Sequence, residues 1–204
     1  MKHALGLMLA VTLALVFSPA SASAQDPLTS SYSFSYTGPS AIGSDGTMYV
    51  TTSSYNWSFY NVFASTSPDS HLNAFKVTTT GNKPDATLTF KGYSWVLNIG
   101  KTDRLFLGVG NYLYIIPTPF VTGTLEAVAA DVTGGPLPGP LATTSILKID
   151  LKSAPISLKV STVGSKEYLY LTTTSYTWSP FSITSKVIVL DSSDGSKIKE
   201  FTVE

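Results

Sequence analysis

The chain has 204 residues with 13 basic and 13 acidic side chains, no cysteine, and only 13% charged residues. A formal net charge of zero provides no electrostatic attraction for nucleic acid or an anionic membrane surface, so neither is an expected partner. The lack of cysteine excludes disulfides, thiolate catalysis and iron–sulfur or cysteine-based zinc sites. The surface must therefore depend on Ser, Thr, Asn and Tyr for its contact with water.

The first 24 residues have the pattern of a secretory signal peptide. Lys2 supplies the positive start, residues 4–17 form an apolar run, and Ala22-Ser23-Ala24 ends it with small residues. The run is shorter than the about 20 residues that a membrane span needs, and no second apolar stretch of that length follows. We expect cleavage near Ala24, a mature β-repeat domain at 25–204 without a membrane span, and secretion to the periplasm or the exterior.

The mature chain is predicted to be a succession of β-strands, because β-branched and aromatic residues alternate with polar ones between Gly, Pro and Asp turns. A first strand is expected at 32–36, where Gly38-Pro39 would end it. The first unit covers about 41–92. Its expected strands are 47–53, 57–64, 72–78 and 86–91.

Two further units are expected at about 98–161 and 162–204. The strands of the second are 104–109, 112–116, 145–151 and 156–160, and those of the third are 168–174, 186–191 and 197–203. Residues 117–141 form a Pro- and Gly-rich connection whose length indicates a functional or a mobile loop. Within it, 125–132 is the one segment rich in helix-favouring residues.

An internal repeat relates the units. Residues 43–57 (GSDGTMYVTTSSYNW) return as 164–178 (GSKEYLYLTTTSYTW), and a weaker copy begins at Gly100. Self-similarity at such spacings indicates a repeat architecture. Because one small meander cannot bury both of its faces, the copies must stack on one another. We therefore expect an all-β, β-propeller-like fold of about three antiparallel meanders, with a β-sandwich as the alternative.

The repeated unit resembles a known family. DGTMYVTT at 45–52 with LNAFKV at 72–77 is similar to the bacterial YVTN-type β-propeller repeat, in which an Asp-Gly turn precedes a Tyr-Val-Thr-Asn strand. The third unit, with YLTT at 170–173 and KVIVLDSSDG at 186–195, also looks like the pyrroloquinoline-quinone-like propellers. The resemblance implies a scaffold and supplies no catalytic residues. A closed propeller normally needs four blades, and only three units are evident. The sequence leaves four explanations open: a hidden fourth blade, association of copies, a fragment, or a sandwich.

Candidate catalytic or metal-binding groups are few. After the signal peptide the one histidine is His71, beside Ser70 and near Asp69, and neighbours on a strand point to opposite faces, which argues against a Ser-His-Asp triad. The run Asp191–Gly195 has the wrong spacing for a calcium loop and predicts a turn. A carboxylate pair for glycoside hydrolysis would have to come from Asp69, Asp85, Asp103, Glu126, Asp131, Asp150 and Glu167, nearly all in expected turns. We expect no catalytic residue, metal or cofactor.

Aromatic residues recur after each copy of the motif. Tyr and Trp combine a large contact area with a polar edge, which suits stacking on sugars or contacts with proteins. The alternative is that they fill the space between sheets. The candidate ligand-binding residues are Tyr55, Trp57, Tyr112, Tyr114, Tyr176 and Trp178.

The sequence thus favours a secreted, non-enzymatic β-propeller-like module that binds protein or glycan through long loops and rim aromatics. One alternative is a fragment or subunit of a propeller enzyme with a carboxylate and metal, or a quinone, at its channel. Another is an architectural surface protein that assembles through open sheet edges. A homo-oligomer is compatible with each of these hypotheses.

Overall fold

The computed structural model of the chain describes residues 31–58, 69–125, 128–131 and 146–203, with the backbone alone at 31–34, 55–58 and 128–131. These residues form strands joined by turns and contain no helix. The expectation of an all-β, largely antiparallel fold is confirmed. The expected signal peptide lies outside the described residues.

The first sheet is an antiparallel meander of four strands in chain order, with a short fifth strand added in parallel at its edge. Its strands are, in spatial order, β1 (Ser31–Ile42), β2 (Met48–Ser58), β3 (Asp69–Phe75), β4 (Ala86–Lys91) and β8 (Gly123–Thr124).

The second and third sheets repeat this plan. The second again ends on a strand added in parallel, and the third is a plain four-stranded meander. The second sheet has the order β5 (Ser94–Ile99), β6 (Arg104–Val109), β7 (Tyr112–Pro117), β10 (Leu147–Asp150) and β9 (Val128–Asp131). The third has the order β11 (Ala154–Val163), β12 (Lys166–Trp178), β13 (Phe181–Asp191) and β14 (Lys197–Val203).

The sequence repeat coincides with a structural one, because its three copies form β2, β6 and β12, each the second strand of its sheet. The loops that enter the first two copies are also alike. The amide of Gly43 donates to the carbonyl of Thr47 (2.8 Å), and the amide of Gly100 donates to that of Arg104 (2.9 Å). One meander has therefore been reused three times.

The three sheets stack in chain order, and the second buries both of its faces. Its side toward the first sheet forms a core with Tyr49, Leu72 and Phe90, and its opposite side forms a core with Leu171 and Leu190 of the third. The first strands β1, β5 and β11 lie side by side. Such stacking is compatible with both the propeller-like and the sandwich expectation.

Equivalent positions face the same way along the stack. Tyr49, 3% exposed, packs toward the second sheet, and Phe106, fully buried, packs toward the third. Tyr170, their counterpart in the third sheet, lies on its outer face, where the described chain offers no fourth sheet. That outer face is thus the copy of two faces that are buried elsewhere in the molecule.

The outer face of the first sheet is mostly polar. The Asn73 side-chain amide donates to the hydroxyl of Thr52 (3.1 Å) and its carbonyl accepts from the hydroxyl of Thr87 (3.0 Å), which links three neighbouring strands. Exposed apolar side chains occur there at one corner, at Ile42 and Met48. A polar outer face is what a terminal repeat needs in order to end a stack in water.

Two segments differ from the expectations. Strand β5 was not expected, and its alternation is broken by a register shift between Ser94 and Val96. The adjacent Val96 and Leu97 enter opposite cores, as neighbours on a strand do, because both faces of the second sheet are covered. The helix-favouring segment 125–132 contains strand β9 instead, since parallel pairing with β10 outweighs the weak helix preference of alanine.

Some strand boundaries also differ. Strand β1 continues past Gly38-Pro39, with a bulge between Thr37 and Ser40 instead of an end. The expected strand 57–64 begins inside β2, and the rest of it lies outside the described residues. Residues 156–160, the end of the expected second unit, belong to β11, because the tight turn Gly164-Ser165 joins β11 to β12 in the third sheet.

The described part of the long 117–141 connection packs on the first sheet. The amide of Leu125 donates to the carbonyl of Thr89 (2.9 Å), and the ring of Phe120 lies 5.9 Å from that of Tyr49. This part of the connection therefore helps to join the first two sheets. Residues 126–127 and 132–145 lie outside the described residues.

Candidate binding surface

A two-stranded arm extends from the third sheet. Strand β11 reaches β12 only as far as Thr174, and β14 reaches β13 only as far as Ser185. Beyond these positions, residues 175–184 of β12 and β13 pair with each other alone. We call residues 175–184 the arm.

The sequence of the arm explains its extension. Tyr, Thr and Trp favour strands, and Ser179-Pro180 forms the turn that places Trp178 opposite Phe181. The Thr177 hydroxyl donates to the Pro180 carbonyl (3.2 Å) and shares a hydrogen bond with the Ser182 hydroxyl (2.5 Å). These bonds support a tip beside which the described part of the chain places no other strand.

One face of the arm is apolar and open to solvent. Trp178 lies opposite Phe181 and Tyr176 opposite Ile183, and the four are 82%, 61%, 59% and 56% exposed. The Trp178 and Phe181 rings are 5.6 Å apart. Large exposed apolar patches on folded proteins mark interaction sites.

The same face continues onto β14. Val203 lies opposite Ser185 and Phe201 opposite Val187, and opposed residues share a face of an antiparallel sheet. We call this surface the apolar outer face. Its exposed large side chains are Tyr176, Trp178, Phe181, Ile183, Phe201 and Val203.

Two polar side chains near the middle of the apolar outer face bond each other. The hydroxyls of Thr174 and Ser185 share a hydrogen bond at 3.3 Å. The Lys199 ammonium lies 4.7 Å from the centre of the Phe201 ring, a favourable cation–π position at the border of the patch. A partner that covers the surface must still provide hydrogen-bond partners for the Tyr176 hydroxyl and the Trp178 indole N–H, or leave them at its border in contact with water.

The opposite face of the third sheet borders a charged cavity of about 220 Å³. Glu200 accepts from Lys186 (2.6 Å) and Lys197 (3.2 Å), and Lys152 pairs with Asp150 (2.7 Å). The hydrogen bond from Lys186, followed by that from Lys197, lowers the pKa of Glu200. Lys186 and Lys197 share the carboxylate of Glu200, so three lysines and two carboxylates line the cavity, and all five side chains are engaged in ion pairs.

The six candidate aromatic residues do not form one surface. Tyr55 and Trp57 lie on β2 of the first sheet, opposite Phe34 and Tyr32 in the backbone register. Their side chains lie outside the described ones. Tyr176 and Trp178 lie on the apolar outer face of the third sheet.

Tyr112 and Tyr114 are not equivalent to the other two pairs. Strand β6 ends at Val109 and the chain reverses at Gly110, so both tyrosines lie on the third strand of their sheet. Tyr114 packs against the core between the first two sheets, and the ammonium of Lys148 lies 3.9 Å from the centre of the Tyr112 ring. Tyr114 thus helps to fill the space between the sheets, whereas Tyr112 is exposed at the start of its strand.

Four members of the apolar outer face were not among the six candidates. Two of them could have been predicted from the sequence: a turn at Ser179-Pro180 places Phe181 opposite Trp178, and alternation then places Ile183 on the same face. Phe201 and Val203 had no such signal, because their position depends on which strand pairs with β13.

The Asp69-Ser70-His71 group is divided between two faces, as expected. The Ser70 hydroxyl donates to the carbonyl of Gly92 (2.6 Å) on the buried face. His71 lies on the outer face of the first sheet, where its Nδ1 is 3.4 Å from the hydroxyl of Thr89, and Asp69 forms an ion pair with Lys91. The three side chains do not meet as a catalytic triad.

The run from Asp191 to Gly195 is a turn. One oxygen of the Asp191 carboxylate accepts from the amide (2.9 Å) and hydroxyl (2.6 Å) of Ser193, and the amide of Gly195 donates to the Asp191 carbonyl (2.8 Å). Gly195 has a φ of +75°, which glycine adopts without strain. The carboxylate thus caps its own turn.

The other described carboxylates also have local partners. Asp85 accepts from the amide of Lys76 and Asp103 from the hydroxyl of Ser44, both at 2.8 Å. Glu167 is 9% exposed, and its Oε2 accepts from the amide of Lys101 (2.8 Å). That bond joins the third sheet to the β5–β6 loop of the second, which indicates a structural role.

Within the described ranges, no group of three or more His, Asp or Glu side chains is arranged to hold a metal ion. Among those same residues there is no helix with the length and apolar character to cross a bilayer. Comparison with protein-family models, with curated proteins and with solved structures gives no match for this chain.

Proposed function

We propose that this chain is a secreted, non-enzymatic, β-propeller-like module that binds a partner through the apolar outer face of its third sheet. The observation that carries the proposal is the continuous set of exposed aromatic and aliphatic side chains from Trp178 to Val203. Leaving such a surface in water is unfavourable, and covering it gains about 25 cal/mol for each Å². Secretion rests on the signal-peptide pattern at 1–24.

A protein partner fits this surface better than a glycan. Sugar sites combine an aromatic platform with polar groups that bond the hydroxyls, as small-molecule sites in general do. Here the platform is flanked by Ile183 and Val203, and the hydroxyls of Thr174 and Ser185 bond each other. Aromatic and aliphatic side chains packed together are typical of the centre of a protein interface.

The test is a pull-down from the organism's secreted fraction, with a glycan array in parallel. The double substitution Tyr176→Ala and Trp178→Ala is expected to reduce capture at least tenfold, since central aromatic anchors carry much of an interface's energy. Trp95→Ala is the matched control, because Trp95 is a 54% exposed tryptophan on another sheet. Its capture should equal that of the unsubstituted protein.

Unchanged capture by the doubly substituted protein, with its fold intact by circular dichroism, would reject this surface as the site. Loss of glycan-array binding without loss of protein capture would assign the face to sugar instead. A propeller enzyme fragment remains the second hypothesis, and an architectural subunit the third. Enzymatic turnover by the purified chain would replace the present proposal.

A further inference from the structure

The apolar outer face lies on the side of the third sheet that corresponds to the buried side of the first two. In the first two sheets, the face that contains Tyr49 or Phe106 packs on the next sheet in the chain. In the third sheet the same face contains Tyr170 and the exposed residues of the arm. The third sheet therefore exposes the face that the first two sheets cover with a neighbouring sheet.

The first sheet of another molecule does not fit this position. A head-to-tail stack would place the polar outer face of the first sheet on the apolar outer face. It would bury the side chain of His71 and the Asp69–Lys91 ion pair against aromatic rings. Covering paired charges with apolar groups costs desolvation energy that is not recovered.

We infer that the apolar outer face is covered by the same face of a second copy of this chain, in a two-fold symmetric dimer. This inference rests on the proposed function, since it names the partner of that surface. Among the described surfaces this is the one extended apolar face, so it is its own best complement. A symmetric pair buries one patch on each copy and then stops growing.

The geometry of the patch suits a two-fold axis through its middle. The arm tip forms one end and β14 the other, with Thr174 and Ser185 between them. An antiparallel arrangement lays Trp178 and Phe181 of each copy over Phe201 of its partner. The two central hydroxyls already bond each other, so each keeps a hydrogen-bond partner when the face is covered.

The area is near what a stable dimer needs. Taking about 200 Å² for a large aromatic side chain and less for Ile and Val, the exposed fractions of the six residues correspond to roughly 650 Å² per copy. Standard stable interfaces bury about 800 Å² per partner. The flanking Thr174, Ser185 and Val187 can supply much of the difference.

The experiment is sedimentation velocity of the secreted protein over a wide range of concentration. The unsubstituted chain is expected to be a dimer that dissociates on dilution. The double substitution Trp178→Ser and Phe181→Ser is expected to weaken the dimer at least a hundredfold. The matched control is Ile42→Ser with Met48→Ser, which removes two exposed apolar side chains from the opposite end of the stack and should leave the dimer intact.

Other results would overturn the inference. A dimer that survives the arm substitutions, or that is lost in the control, would locate the interface elsewhere. Larger open-ended assemblies would indicate head-to-tail contact. A monomer at all concentrations would exclude the second copy. If the chain is a monomer but captures a different protein, and this capture requires Tyr176 and Trp178, the proposed function stands without the dimer. If it captures no such protein either, both the dimer and the proposed binding function are rejected. Cooperative urea unfolding of each variant checks the fold.

Discussion

The packing of the third sheet on the second can be tested at a single glycine. Gly195 is buried in the β13–β14 turn with a φ of +75°. A Cβ at this position would lie 2.2 Å from Cδ1 of Ile149 and 3.0 Å from Cδ2 of Leu147. Gly195→Ala therefore combines a strained backbone with a steric clash in the core.

The two costs can be estimated separately. A non-glycine residue with left-handed backbone costs about 1–2 kcal/mol, and overpacking a core costs about 1–3 kcal/mol. Replacing glycine also reduces the conformational entropy of the unfolded chain, which stabilises the folded state by about 0.4–1 kcal/mol. We expect Gly195→Ala to lower the free energy of unfolding by about 2–4 kcal/mol.

A matched control separates the two costs. Gly164 also has a positive φ, +63°, but nothing lies within 4 Å of its added Cβ. Gly164→Ala should therefore cost only about 1 kcal/mol, the backbone part. Ile149→Val removes the clashing methyl group, and in that background the cost of Gly195→Ala should fall toward that of Gly164→Ala.

Urea unfolding followed by circular dichroism measures these differences as shifts in the midpoint at constant slope. If Gly195→Ala costs no more than Gly164→Ala, the turn does not pack on Ile149 in solution. If its cost is the same with and without Ile149→Val, the clash is not the cause. Either result would refute the described contact between the second and third sheets.

Three further substitutions test other contacts. Glu167→Ala should lower the free energy of unfolding by about 1–3 kcal/mol by stranding the Lys101 amide, while Glu167→Gln, which retains an acceptor, should cost less; equal costs in urea unfolding would contradict this. The amide and then the hydroxyl of Thr47 lower the pKa of Asp45 from 3.8, so its stabilisation is present above that pH and lost as pH falls through the lower folded pKa. Asp45→Asn should flatten the loss of stability below pH 3.8, and an unchanged urea-unfolding profile against pH would contradict it. Phe106→Ala should cost about 3–5 kcal/mol in thermal or urea unfolding, since it leaves a cavity between the second and third sheets; a cost below about 1 kcal/mol would contradict its burial.

Local patterns were sufficient for much of the strand assignment. Strands β4, β6 and β14 begin and end where the sequence predicts, because alternation and Gly or Asp turns are local signals. The repeat also placed β2, β6 and β12 at the same position in their sheets. Strand β5 was not predicted because its bulge breaks the alternation. Strand β9 was not predicted because its conformation depends on pairing with β10, which lies farther along the chain.

The equivalence of the aromatic residues needed the tertiary structure. By sequence offset Tyr112 and Tyr114 match Tyr176 and Trp178, yet the first pair follows a turn at Gly110 and the second pair precedes its turn. An offset of fixed length cannot show that one copy has a shorter strand. The two pairs consequently lie on different strands and in different surroundings.

The sequence by itself determined that this is an all-β chain made from a reused meander. Alternation can be read from neighbouring residues, and the repeat from the similarity between segments. Which face of each meander is buried was decided only by the stacking of the sheets. Tyr49, Phe106 and Tyr170 share one local pattern, but the first two are covered by a neighbouring sheet, and no sheet of the described residues covers the third. Alternation separates the two faces of a strand, and only the presence of a further sheet determines which face is removed from water.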